Sequence, residues 1–253
     1  MHKVVDKLFL LGGLDLEMQA IRQLLIEQHC PFEDAALSWS NARLSAYRSV
    51  LDTTDAVQIY GIELRSDVQP PDNYQLIDHH NELSQSPSSL EQVANLLGVA
   101  LNRTQLLIAA NDKGYIPALI AMQATAAEIQ QIRCWDRAAQ GVTSQDEVQA
   151  ALDVQHRLST NGLVIVQTTL SHFSPICDRL YPYERLLIFS EQEWTYYGPG
   201  IEQLKDSFSN LLAQGQCYYG GGMRGFFGLA KGVHTPDEIK QDVERIKQCI
   251  GDV

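Results

Sequence analysis

Short apolar runs that break off at a carboxylate or histidine, each followed by helical spacing, constrain this chain more than any other feature. The first run, residues 4–14, passes through Gly12 and Gly13 to Asp15 and Glu17. Met18, Ile21, Leu24 and Leu25 then fall on one helical face. Residues 56–63 read as a strand ending in Glu63. After a Pro70-Pro71 turn, residues 74–77 read as another, running directly into Asp78-His79-His80-Asn81. Ser88 and Ser89 can cap a helix over residues 90–97. Residues 106–110 read as a further short buried strand, ended by Asn111-Asp112-Lys113-Gly114, with helical stretches expected at about 118–139 and 144–158. Alternating strands and helices predict an α/β fold with a parallel sheet and helices on both faces.

A second rhythm starts after Ser159-Thr160-Asn161-Gly162, which predicts two domains, residues 1–160 and 161–253. Residues 163–169 look strand-like and 174–180 helical, and 185–190 with 194–197 suggest a strand pair. A helix over 201–212, a glycine-rich turn at Gly220-Gly221-Gly222 and an amphipathic helix over 236–250 complete a smaller α/β unit. At roughly 100–200 residues per domain, 253 residues suffice for both.

Charge narrows the partners. The formal net charge is −12, and residues 1–160 carry 20 acidic against 11 basic side chains. A long nucleic-acid duplex is a poor partner for such a chain, because neutralising many phosphates needs a basic stripe. No apolar run approaches the roughly 20 residues that span a bilayer, so no membrane association is expected. The start of the chain also lacks the pattern of a secretory signal. Cys30, Cys134, Cys177, Cys217 and Cys249 are scattered, with no C-x-x-C pair, which predicts reduced thiols and a cytoplasmic setting.

Open parallel sheets place their ligands beyond the carboxyl ends of the strands, where the four runs deliver their titratable groups. Carboxylates gathered in one place repel one another unless a cation neutralises them. Mixed oxygen and imidazole donors suit Mn²⁺, Mg²⁺, Fe²⁺ or Zn²⁺. The glycine run can be a flexible turn, or its successive N–H groups can form an anion site, with Arg224 as a forked donor to phosphate. Phe226, Phe227, Tyr218 and Tyr219 are either core aromatics or stacking faces, and Lys113 either meets a phosphate or pairs with Asp112. Arg133 and Asp136 are explained by pairing along one helix.

The order Asp15-x-Glu17, Glu63, Asp78-His79-His80, Ser88-Ser89, Asp112-x-Gly114 resembles the four motifs of the DHH phosphoesterase superfamily. That superfamily includes RecJ-type exonucleases, small-oligoribonucleotide and cyclic-dinucleotide phosphodiesterases, and family II inorganic pyrophosphatases. Gly220-Gly221-Gly222-Met223-Arg224-Gly225 is similar to the substrate-binding motif of the family's C-terminal DHH-associated domain. The resemblance covers nearly the whole chain and implies an active site in a cleft between the two domains. It further implies one or two Mn²⁺ ions held by Asp15, Glu17, Glu63, His79 and Asp112, with His80 beside the substrate phosphate and Asp78 orienting a histidine. Gly220, Gly221, Gly222 and Arg224 would bind substrate.

The chain also departs from the family pattern. The family's first motif opens with a histidine where this chain has Leu11, and glutamates stand at 17 and 63 in place of aspartates. A weaker first metal site, a one-metal site and an inactive relative all follow from those changes. The expected function is hydrolysis of a small phosphate-bearing nucleotide: a short oligonucleotide, a nucleoside 3′,5′-bisphosphate or a cyclic dinucleotide. The alternatives are a non-hydrolytic nucleotide- or partner-binding relative, and a pyrophosphatase-like enzyme. A homodimer is compatible with either.

Overall fold

In the computed structural model, which describes residues 6–220 and 225–251, β1 (Lys7–Leu10) shows why both faces of its sheet are covered. Its side chains alternate with the two-residue period of a strand. Leu8 and Leu10 enter an apolar cluster with Leu44, Tyr47 and Ile59, while Phe9 and the following Leu11 enter another with Ile21, Ile62 and Leu90. The chain divides into two compact units, Met1–Gly141 and Val142–Val253.

In the first unit β1 is followed by α1 (Leu16–Glu27), β2 (Phe32–Glu33), two 3-10 turns at Trp39–Asn41 and Leu44–Tyr47, and α2 (Arg48–Leu51). Then come β3 (Gln58–Ile62), β4 (Tyr74–Ile77), α3 (Ser89–Leu97), α4 (Arg103–Ala121) and α5 (Ala126–Ala139). The four strands pair in parallel in the order β2-β1-β3-β4, with Leu8 opposite Ile59 and Ile62 opposite Ile77. Helices α1, α3, α4 and α5 fill one face with Met18, Leu24, Val93, Leu107, Leu119 and Ile132. The other face is closed by the 3-10 turns and the four-residue α2, so its cover is thinner than a layer of full helices.

Two expectations fail in α4. Residues 106–110 are helix, not strand, and Asp112 therefore comes from a helix rather than from a fourth strand end. A short apolar run cannot distinguish a buried strand from a buried helical turn. The deciding signal lies upstream, where Asn102 and Gln105 form a reciprocal capping box that starts the helix. The expected helix over 118–139 is likewise two helices, because Thr125 caps α5 with a box of its own through Glu128.

The division into domains also moves. Helix α6 (Ser144–Gln155) belongs with the second unit, where Ala150 packs with Val166, Ile176 and Leu186. The stretch expected as a linker is a hairpin turn between β5 (Leu158–Thr160) and β6 (Leu163–Gln167), which pair antiparallel. Asn161 and Gly162 supply the two positive φ values, 48° and 78°, that a two-residue hairpin turn requires. Asn-Gly therefore joins two strands instead of separating two domains.

The second unit continues with α7 (Ser174–Leu180), β7 (Arg185–Phe189), β8 (Trp194–Tyr197), α8 (Ile201–Ser207), α9 (Ser209–Ala213), β9 (Cys217–Gly220), β10 (Phe226–Leu229) and α10 (Pro236–Gly251). Its sheet runs β5-β6-β7-β8-β10-β9 and is antiparallel except for β6 with β7. The expected helix over 201–212 breaks at Phe208, which lies in the core beside Trp194 and Phe227. Among the aromatic pairs left open by sequence, Phe227 is buried, whereas Tyr218, Tyr219 and Phe226 are exposed. No helix among the described residues is long and apolar enough to cross a membrane.

Buried Asp242 ties α10 to this sheet. Its Oδ2 accepts the indole N–H of Trp194 at 2.9 Å and lies 2.7 Å from His234 Nδ1. Asp242→Ala strands a buried donor, so stability should fall by about 1–3 kcal/mol. Urea unfolding should show a lower midpoint with an unchanged slope; an unchanged midpoint would remove this role.

Candidate metal centre

The sheet order makes the ends of β1 and β3 a place where a ligand can sit, because the chain leaves β1 toward β2 on one side and returns to β3 on the other. Gly12 lets the two ends approach closely: a Cβ there would lie 2.4 Å from the carbonyl oxygen of Ile62. Asp15 caps α1 and accepts the Met18 N–H at 2.7 Å. Glu17, in the first turn of α1, is buried, and its Oε1 accepts the Leu90 N–H at 3.1 Å. Glu63 follows β3 with a left-handed φ of 52°, a conformation that costs energy in a residue with a side chain. Its Oε1 accepts the Ser89 hydroxyl at 2.7 Å. The first turn of α3 thus aims two carboxylates.

These groups meet at one imidazole nitrogen. Nε2 of His79 lies 2.7 Å from Asp112 Oδ2, 3.3 Å from Glu63 Oε1 and 3.4 Å from Glu17 Oε2. The short contact to Asp112 lies off the ring N–H direction, so it is not a hydrogen bond. Glu17 Oε2, His79 Nε2 and Asp112 Oδ2 are all buried without a hydrogen-bond partner. One ligand atom each from Glu63, His79, His80 and Asp112 falls within 4.8 Å of the others.

The electrostatics reflect this crowding. Burial, and then repulsion from Asp112 and Glu63, pushes the Asp15 carboxyl up to about 9. Burial also raises Asp112. For His79, burial acts to lower the pKa, but contacts with Asp112, Glu17 and Glu63 outweigh it and carry the imidazole to about 12. Unpartnered buried oxygens around a buried nitrogen fit a hard or borderline divalent cation, which takes carboxylate and imidazole ligands. Glu17, Glu63, His79 and Asp112 are the residues that would hold it, with Asp15 alongside.

Asp78 acts on the neighbouring histidine. Its Oδ1 accepts the backbone N–H groups of His79 and His80 and lies 2.8 Å from His80 Nδ1. For Asp78, burial acts to raise the pKa, and the hydrogen bonds from the His80 ring and amide prevail and lower it. The bond to Asp78 is also the largest cause of the raised His80 imidazole. His80 is therefore fixed through Nδ1, with its ring about half-exposed.

Gly220 ends β9 in the second unit, and Gly221, Gly222 and Arg224 fall outside the described residues. Leu11 is an apolar core residue whose carbonyl accepts the Tyr47 hydroxyl at 2.6 Å, so it offers no side-chain ligand. Lys113 does not pair with Asp112; its Nζ donates to the Ser86 carbonyl at 2.6 Å.

Sequence reasoning missed the brace behind Asp112. Arg133 is buried and donates to Asn111 Oδ1 at 2.9 Å and to Asp136 Oδ2 at 2.7 Å, with its guanidinium 4.4 Å from the Tyr115 ring. Helix α4 breaks at Gly114 and Tyr115, whose φ is 56°, so Arg133 links the residue before Asp112 to a residue of the break itself. The spacing of Arg133 and Asp136 was visible in the sequence, but their link to Asn111 was not.

No family model matches the chain, and no curated protein is similar to it in sequence. Among solved structures, it is similar to RecJ in complex with Mn²⁺ from Thermus thermophilus, at 11% identity and TM-score 0.45, covering 96% of this chain and 52% of that one. The Mg²⁺ complex of RecJ from the same organism gives 11% identity, TM-score 0.48, and coverage of 96% and 50%. An exonuclease RecJ bound to manganese gives 10% identity, TM-score 0.45, and coverage of 96% and 90%. The chain spans about half the length of the two Thermus proteins.

Ser89→Ala removes the donor that orients Glu63 and should weaken Mn²⁺ binding roughly 10–100-fold, with a lower Tm in the metal-free chain because a buried carboxylate loses its donor. Titration calorimetry checks this, and an unchanged affinity would count against the ligand role of Glu63. Asp15 and His79 hold protons at neutral pH in the metal-free chain, so cation binding must release protons and tighten as pH rises. Calorimetry in buffers of different ionisation enthalpy reads that proton count directly.

Proposed function

We propose that the chain is a metal-dependent phosphoesterase acting on a small phosphate-bearing nucleotide. The convergence of Glu17, Glu63 and Asp112 on Nε2 of His79, with buried atoms left unpartnered, carries the reading. A bound divalent cation supplies an acidified water and neutralises phosphoryl oxygens. Manganese is the first expectation, and magnesium, iron or zinc are chemically admissible with these donors. The chain's own contribution is orientation: α3 fixes two carboxylates through Ser89 and Leu90, and Asp78 fixes His80 to hydrogen-bond a phosphoryl oxygen. The motif resemblance to the DHH superfamily points to the same chemistry, and the second unit corresponds to its DHH-associated, substrate-binding domain.

The net charge of −12 favours a compact substrate over a long duplex. Short oligonucleotides, nucleoside 3′,5′-bisphosphates and cyclic dinucleotides fit that description. Leu11 favours a second reading, a relative that binds a nucleotide without hydrolysing it, since an apolar core side chain stands where an imidazole ligand would otherwise help.

The test is a screen of the metal-free full chain, with and without Mn²⁺, against a dinucleotide, a nucleoside 3′,5′-bisphosphate, a cyclic dinucleotide and pyrophosphate. Turnover of a nucleotide substrate only with metal, lost in His79→Ala and Asp112→Ala variants that keep the wild-type circular dichroism, is expected. Activity in Asp112→Ala equal to wild type would overturn the metal assignment. Mn²⁺ binding without any turnover would support the non-hydrolytic reading, and turnover of pyrophosphate alone would shift the substrate to phosphoanhydrides.

A further inference from the structure

Trp39 stands at the rim of the metal centre with 45% of its surface exposed. Its loop is tied to the end of β1 by a parallel bridge between Gly13 and Leu37 and by the Leu14 N–H, which donates to the Leu37 carbonyl at 2.9 Å. A Cβ on Gly13 would lie 2.8 Å from Cδ2 of the indole and 3.1 Å from both Cε3 and Cγ. Near-equal distances to three ring atoms place the Gly13 backbone over the flat of the ring, a contact that any side chain at position 13 would prevent. The His80 ring meets the indole edge-on, at 5.6 Å between centroids and 71° between planes. His80 in turn lies 4.4 Å, centroid to centroid, from His79. One indole face is thus seated on the backbone beyond β1, and the exposed remainder lies one imidazole away from the metal-ligating histidine.

We propose that Trp39 is the stacking platform for the base of a nucleotide whose phosphate occupies the metal centre. It would be the residue that selects base-bearing phosphate esters over base-free ones. The proposal rests on the phosphoesterase reading for the place of the phosphate, while base contact is measured by binding alone. With 45% of its surface exposed, an indole held in this way can offer π-surface to any base, because every base has a π-face. The preference it confers is therefore for a class of ligand rather than for one base. Stacking is also independent of charge, which matters in a chain whose acidic surface offers anions little attraction.

The experiment compares adenosine 5′-monophosphate with ribose 5-phosphate, which lacks only the base, binding to the full chain in Mn²⁺ by calorimetry and tryptophan fluorescence. Trp39→Ala should weaken the adenosine nucleotide roughly ten-fold and change ribose 5-phosphate by less than about two-fold. Trp39→Phe should recover most of the loss, and Mn²⁺ stoichiometry and Tm should match wild type in both variants. Nucleotide-induced quenching should vanish in Trp39→Phe although Trp135 and Trp194 remain. Equal losses for both ligands would show that Trp39 only supports the loop on Gly13, and unchanged affinities would show no contact with the base. Failure of the wild-type chain to bind the nucleotide overturns the stacking proposal outright. Binding with an intact base preference but no hydrolysis overturns only the catalytic reading.

Discussion

The crowding of Glu17, Glu63 and Asp112 around one imidazole, with Asp15 beside them, is the constraint on which the rest of the first unit depends. Each of these carboxylates would be cheaper to place in water, so the structure that keeps them inside must be rigid and must hold most of their oxygens. It does so with backbone and hydroxyl donors that come from elements buried for other reasons. The Met18 amide receives Asp15, the Leu90 amide receives Glu17 and the Ser89 hydroxyl receives Glu63. What remains unpartnered faces inward to one point. The apolar cluster of Phe9, Ile21, Leu90, Val93 and Ile132 holds α1, α3 and α5 in register with the strand ends, so packing on that face of the sheet sets the geometry of the site.

Much of this was legible from the sequence, for physical reasons that differ from one residue to the next. The strand ending at Glu63 and the one before Asp78 were readable because both are short, apolar and bounded by turn residues. Helix α3 was readable because Ser88 is a strong cap. The helical character of residues 106–110 was hidden because five apolar residues have no period of their own, and the capping box at Asn102 lies outside the run. The domain boundary was hidden because Asn-Gly marks a tight turn equally well between strands and between domains; only the pairing of β5 with β6 decides. Contacts that join distant segments, such as Arg133 with Asn111 or Trp39 with Gly13, leave no local trace in composition or spacing.

The second unit carries its own logic. Its mixed sheet buries Trp194, Tyr196, Phe208 and Phe227 on one face, and Leu186 and Ile188 on the other. Tyr218, Tyr219 and Phe226 stay exposed on β9 and β10, the two strands that flank the glycine-rich segment. Gly220, the described end of the glycine run, pairs with Phe226 and so shares one end of the sheet with that exposed ring.

The break in α4 has a consequence for the field at the candidate metal centre. An uninterrupted helix through residues 103–121 would pass Asp112 at its middle, where aligned peptide dipoles cancel locally and contribute little. Because the helix stops at Gly114 and Tyr115, Asp112 instead lies in the last turn of the first segment. That turn is the negative pole of a helix, the end at which cations are favoured. Glu17 and Asp15 sit at the opposite pole of α1. The candidate centre is therefore flanked by helix ends of both signs, the positive end of α1 beside Asp15 and Glu17 and a negative end beside Asp112, where a cation would be favoured.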